Sequence, residues 1–161
     1  MGIWSLALAP LQPLLGYVVG RVAAGHPALF DRLGPHRHSK YVIDPIDVPF
    51  ALLLSPDPDD LRLSAVPRSD LPPADARISG TFLQLVRLID GEEDGDAAFF
   101  SRELAIAGNT EAVVSLRNAI DDMDRSLAVV VADLIGPPGR LALSVLRRTG
   151  GWRHRKAGGR A

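Results

Sequence analysis

Apolar residues return at every third or fourth position between Leu11 and Val22, as Leu14, Leu15, Val18, Val19 and Val22. That spacing predicts an N-terminal helix, with Pro13 in its first turn, where a missing N–H is tolerated. A second, short helix is expected over residues 27–33, closed by Gly34-Pro35. Beyond Lys40 the pattern changes. Residues 48–55 (VPFALLLS) form a continuous apolar run, which fits a strand buried on both faces or one arm of a hairpin. Residues 55–60 (SPDPDD) are a turn signal, and residues 61–65 (LRLSA) alternate as a partner strand should. Residues 74–79 (ADARIS) are a further strand candidate.

Helical spacing resumes with Phe82, Leu85, Val86 and Ile89, and Gly91 ends that run. An acidic loop over 92–96 follows, then the aromatic pair Phe99-Phe100, then a strand over 104–107 stopped by Gly108-Asn109. Asn109 is suited to cap a helix and Glu111 complements its dipole. From there Val113, Leu116, Ile120, Met123, Leu127, Val130, Val131 and Leu134 trace one face of a single long helix. Arg117, Asp121, Asp122, Asp124 and Arg125 are expected on its wet face. Gly136-Pro137-Pro138 breaks this helix, and a shorter one is expected over 141–146, running into a basic tail.

A chain of 161 residues that is 47% apolar and 23% charged fits one domain with an ample core. Its 13 prolines and 15 glycines favour short elements joined by tight turns over a helical bundle. The absence of cysteine excludes a disulfide framework, a thiol nucleophile and a thiolate metal site. The net charge of −1 hides an asymmetry: residues 1–139 hold 11 Lys/Arg against 19 Asp/Glu, whereas residues 140–161 hold seven basic residues and no acid. A basic end on an acidic body suits an anionic partner. Nucleic acid fits poorly, because the body would repel it and no binding motif is present. The first charged side chain is Arg21, but Pro10, Pro13, Gly16 and Gly20 interrupt the preceding stretch, and no positive region opens it. We read it as a helix packed on the core or lying at a membrane surface, not as a span or a secretory leader.

Candidate chemistry is sparse. Asp90, Glu92, Asp94 and Gly95 match the first half of a calcium loop, but the twelfth position is Ser101 where a bidentate Glu is needed. His36 and His38, with His26, have too little specificity for a metal site, and Gly34-Pro35 marks them as loop. No nucleophile elbow, phosphate loop, dinucleotide fingerprint or zinc-protease helix occurs. No enzyme activity and no cofactor is indicated.

Residues 79–124 carry a resemblance. They read SGTFLQLVRLIDG, then AAFFSRELAIAGNTE, then LRNAIDDMD. This order resembles the C-terminal half of sterol carrier protein (type 2-like) domains: helix, aromatic pair, strand ending in glycine and a small polar residue, amphipathic helix. Within that family it is most similar to the bacterial accessory factor of oxygen-independent ubiquinone biosynthesis (UbiT-type). Asn109 stands where that subgroup usually has Asp, and Glu103 replaces a basic residue.

The resemblance implies an α+β fold: about five strands in a mainly antiparallel sheet, covered by helices, with an apolar tunnel between the layers. The lipid-binding domain would span 40–148, after an N-terminal helical segment at 1–39 and before a basic tail at 149–161. The tunnel would be lined by Phe82, Leu85 and Ile89 from one helix, Phe99 and Phe100, and Leu104 and Ile106 from the strand. Val113, Leu116, Ile120, Met123 and Leu127 of the long helix would complete it. The ligand implied is a polyprenyl quinone precursor or another lipid, held without catalysis, with other proteins of the ubiquinone pathway as partners. Rival readings are a scaffold with a filled interior, a general phospholipid or acyl carrier, and a small enzyme with an unrecognised site. Arg147, Arg148, Trp152, Arg153, Arg155 and Lys156 would meet an anionic membrane surface, which suits a cytoplasmic protein peripheral at the inner membrane.

Overall fold

A computed structural model of the chain describes residues 3–90, 104–123 and 127–149. Helices α1 (Ile3–Leu8), α2 (Leu11–Gly25) and α3 (Ala28–Leu33) come first, followed by a 3₁₀ turn at Gly34–His38. Strands β1 (Tyr41–Pro45), β2 (Phe50–Ser55), β3 (Arg62–Pro67) and β4 (Ala76–Gly80) follow, then α4 (Phe82–Asp90) and β5 (Ala105–Gly108). The chain continues as α5 (Thr110–Asp121), α6 (Leu127–Ile135) and α7 (Pro137–Thr149).

The five strands make one sheet in the order β3-β2-β1-β4-β5. β1 and β4 run parallel at its centre, and the other neighbours are antiparallel. The apolar run at 48–55 is therefore a hairpin arm, turning over 55–60 into β3. Register sets the inner face. Ala65, Leu52, Ile43, Ile78 and Ile106 form one row across all five strands, and Leu63, Leu54, Tyr41, Ala76 and Gly108 the next. Side chains alternate along a strand, so both rows point to the same side. The core gathers there, with Leu33 of α3, Leu85 of α4, and Ala112, Val113, Leu116 and Ala119 of α5.

The opposite face carries Val42, Asp44, Ala51 and Arg77. Asp44 is buried and ion-paired with Arg77, and with Arg68 at 2.9 Å. Arg68 also donates to the carbonyls of Pro45 and Val48, the latter at 2.7 Å, tying the β1–β2 loop to the end of β3. A buried carboxylate survives only with such partners.

Three expectations need correction. The long helix expected from Asn109 to Leu134 ends at Asp121, with the Asp122 and Met123 N–H groups closing the turn on Asn118 and Ile120 at 3.0 and 3.1 Å. Apolar spacing runs on through Met123 to Leu127, but carboxylates at Asp121 and Asp122 oppose the negative end of a helix dipole, and no basic residue in the last turn offsets them. Arg117, expected on the wet face, is buried. The carboxylate of Asp121, one turn further along α5 and 2.7 Å from the Arg117 guanidinium, helps to offset the cost of burying that charge. Finally, the last helix starts at Pro137, not Leu141: Gly136 turns the chain at φ +95, and prolines suit the first helical turn.

Candidate functional site

At the β4–β5 end the helical layer sits directly on the sheet. Gly108 has φ +82, and a Cβ there would meet the Asp75 carbonyl at 2.3 Å, so only glycine lets β5 pass this close. The Asn109 N–H donates to that carbonyl at 2.8 Å, while the Asn109 side chain accepts from the Ala112 N–H at 3.1 Å and caps α5. The Asp75 carboxylate accepts the Lys40 N–H at 2.7 Å, which ties the same corner to the start of β1. α5 thus lands on Tyr41, whose hydroxyl lies 3.2 Å from the Ala112 carbonyl and 3.1 Å from that of His36 and donates to them. Burial, aided by the nearby Asp75 charge, pushes the Tyr41 phenol up to about 12.

The β2–β3 end is different. Phe50, Leu52, Leu54 and Leu63 project to the same inner face, yet each is only half-buried, as is Ile43 beside them. The helices on this side are α2, which packs on β3, and α6, which bridges α2 and α4. Leu15, Val19 and Val22 of α2 and Leu127, Val130 and Leu134 of α6 are likewise half-buried. α6 carries one charged residue, Asp133, which pairs with Arg140 of α7 at 3.0 Å. α7 folds back tightly on α6, because a Cβ on Gly139 would sit 2.6 Å from the Ala132 carbonyl. At the outer edge, the Gln12 amide accepts from the Ala65 N–H at 3.0 Å and donates to the Ala65 carbonyl at 2.8 Å, so α2 occupies hydrogen-bonding positions that a sixth strand would take.

The side chains named here form, among the described residues, an apolar band that is neither exposed nor closed off. Among the described residues no three His, Asp or Glu side chains form a group that could hold a metal ion. His36 and His38 lie in the 3₁₀ turn, and His38 Nδ1 is 2.8 Å from the Asp57 carboxylate in the hairpin turn. That hydrogen bond, with one from the Asp59 N–H, lowers the Asp57 pKa. The calcium-like pattern falls largely outside the described residues. Among the described residues no helix is long and apolar enough to cross a membrane.

The residues expected to line a tunnel separate into groups. Leu85, Leu104, Val113 and Leu116 are buried together in the core, with Ile106 and Ile120 packed against them. Ile89, Met123 and Leu127 are half-buried, and Phe82 is 41% exposed on the first turn of α4, where its N–H is taken by the Asp47 carboxylate at 2.8 Å. Phe99 and Phe100 lie outside the described residues. Of the basic residues, Arg147 is half-buried and Arg148 exposed near the end of α7, whereas Trp152, Arg153, Arg155 and Lys156 lie outside the described residues.

The model of the SCP-2 sterol transfer family matches residues 23–121. The chain belongs to the SCP-2 sterol transfer family. No relative is found among curated protein sequences. Among solved structures, the SCP-2 fold recurs in a "UbiJ-SCP2 Ubiquinone synthesis protein", with 19% identity over 75% of this chain and 93% of that one, at a TM-score of 0.50. The sterol carrier protein domain 2 of Helicoverpa armigera matches at 14% identity over 68% of this chain and 86% of its own, with a TM-score of 0.48. Sterol carrier protein 2 from Yarrowia lipolytica, in its apo form, matches at 10% identity over 67% and 84%, with a TM-score of 0.47.

Within this SCP-2 domain, sequence reasoning missed the half-buried inner face of β2 and β3. The run Leu52-Leu53-Leu54 conceals which leucines point inward, because Ala51 packs on the opposite side and removes the alternation. The edge clamp by Gln12 was also silent, since one polar residue in an apolar helix has many readings. Its only signal was position: Gln12 is the sole hydrogen-bonding side chain between Leu6 and Gly16.

Proposed function

We propose that this SCP-2 domain is a non-catalytic accessory protein that holds or presents polyprenylated ubiquinone precursors. The observation that carries the reading is the half-buried aliphatic band between the inner face of β1–β3 and the helices α2 and α6. The five carbons of one isoprene unit represent roughly 3–4 kcal/mol of sequestration from water, so a long polyprenyl tail needs a bilayer or a protein that covers part of it. Two features support the ubiquinone context: the UbiT-type resemblance over 79–124, and the likeness to a structure described as a ubiquinone synthesis protein. The lipid-binding unit would be 40–148, with the basic tail at 149–161 meeting anionic headgroups at the cytoplasmic side of a membrane and other pathway proteins as partners.

The test is to purify the full chain gently from cells and weigh it intact by native mass spectrometry, then extract and identify whatever it carries. Isoprenoid quinones or their precursors are the expected cargo. Phospholipid or fatty acid alone would replace this reading with a general acyl carrier. Bare polypeptide would leave a protein that acts through contacts with other proteins.

A further inference from the structure

We infer that α7 is a membrane-docking helix that seats a second apolar stripe in an anionic bilayer. One side of α7 is accounted for: Gly139 abuts Ala132 and Ile135 of α6, and Leu143 and Leu146 on the same side are half-buried. The other side is exposed. Pro138, Leu141, Ala142, Val145 and Arg148 recur at helical spacing and are exposed, Leu141 by 68% and Val145 by 48%. A helix needs one apolar face to join a fold, and α7 has two.

Charge decides what covers the second. Arg140 flanks the stripe with its side chain 62% exposed, and Arg148 ends it. Asp133 is the last acidic residue, and seven basic residues follow it to the end of the chain. The rest of the chain is acidic overall, so the positive field is confined to this helix and the tail. A basic helix with an exposed apolar stripe suits the headgroup region of an anionic membrane, where aliphatic side chains enter the acyl boundary and arginines pair with phosphates. An acidic protein is a poorer fit. A stable protein interface covers about 800 Å² on each partner, more than two aliphatic side chains on one narrow helix supply, whereas a bilayer sets no minimum area.

The packing gives the docked helix a place relative to the lipid site. α7 lies on α6, which bridges α2 and α4 beside the half-buried band, so the bilayer would lie directly behind that band. This last step rests on the proposed function, while the docking itself does not.

Sedimentation with vesicles of phosphatidylethanolamine and phosphatidylglycerol tests the docking in the full chain. Binding should weaken as salt rises, because headgroup contacts are screened, but a residual salt-resistant fraction should remain from the inserted stripe. Leu141→Gln with Val145→Gln should remove that fraction and weaken binding by about tenfold or more, with unchanged thermal unfolding, since both positions are exposed and Gln keeps helix propensity. Ile3→Gln with Leu6→Gln, on the still more exposed α1, which lacks a basic residue, should bind like the parent. Complete loss of parental binding at high salt would reduce the contact to the tail, and unchanged binding of the α7 variant or transfer of the defect to the α1 variant would overturn the inference. The chain has no cysteine, so Leu141→Cys can carry a single environment-sensitive dye. Its emission should shift to the blue with anionic vesicles, and the same dye at Asp60→Cys in the hairpin turn should not respond; no shift at position 141 would sink the proposal even if the double variant misfolds. Vesicle binding by a chain that carries no lipid would retain the docking and discard the carrier.

Discussion

The two ends of the sheet carry the same kind of side chain and treat it differently. At the β4–β5 end, α5 drops Ala112, Val113 and Leu116 onto Tyr41, Ala76 and Ile78, and every one of them is buried. At the β2–β3 end, Phe50, Leu52, Leu54 and Leu63 are strongly apolar, yet each is only partly buried. Hydrophobic strength does not separate the two ends. The difference is how the covering helix is attached: α5 is pinned to the sheet by hydrogen bonds at Asn109, Asp75 and Lys40, whereas α6 reaches it through neighbouring helices. At one end the backbone of the helix cap is bonded to the sheet, whereas at the other the bonds come from one side chain, Gln12, at the outer edge of β3.

The largest expected effect comes from equal truncations at the two ends. Leu116→Ala should cost about 3 kcal/mol, a fall in Tm of roughly 6–12 °C by calorimetry, because the site cannot collapse. Leu52→Ala should cost about 1 kcal/mol or less while lowering the yield of lipid that copurifies. Equal costs for the two would mean the β2–β3 end is as closed as the other.

Tyr41→Phe probes the closed end by chemistry instead of volume. Loss of the hydroxyl removes its hydrogen bond to carbonyls that keep their backbone partners, and should cost about 1 kcal/mol in urea unfolding near neutral pH. The Tyr41 phenol titrates near 10 when unfolded and at about 12 when folded, so the fold favours the neutral form. Its contribution is complete below about pH 10 and disappears as pH climbs toward about 12. The gap between parent and variant should therefore narrow across that window, and a constant gap would remove Tyr41 as the cause.

Gln12→Ala should cost about 1 kcal/mol, since Ala65 regains water for its lost amide partner at the open edge, and gel filtration should show more self-association. The smallest effect belongs to the exposed His38–Asp57 contact. The Asp57 pKa is lowered in the fold, so its contribution is present above the ordinary carboxylate range and fades as pH falls through the folded value. Asp57→Asn should match the parent in acid and fall slightly short of it at neutral pH by denaturant midpoint.

The legible parts of the fold were those marked by backbone chemistry. Gly34-Pro35, the turn at 55–60, Gly108-Asn109 and Gly136-Pro137 bound elements close to where they are observed, because each changes what φ or hydrogen bond the chain can adopt. The family resemblance was legible for the same reason, resting on a strand that must end in glycine. Periodicity alone misled across 121–127, where apolar spacing ignores the carboxylates that end α5. Burial by a distant partner left no local trace. Arg117 reads as a surface residue yet is buried, and Asp44 reads as an ordinary strand-end acid until Arg68 and Arg77 arrive. The candidate site was half legible: the α5 residues reach the core, but the half-buried band lies on strands whose inward side the leucine run concealed.

The parallel pairing of β1 with β4 has a consequence for how such a chain can change over generations. Residues 46–75 depart from the middle of the sheet and come back to it, so the hairpin is an excursion whose two feet stand side by side. Lengthening or shortening that excursion alters the floor beneath α2 and α6 without touching the ladder that holds β4 and β5. A lineage could thus resize the space under those helices by editing one hairpin, while leaving the corner at β4 and β5 as it is.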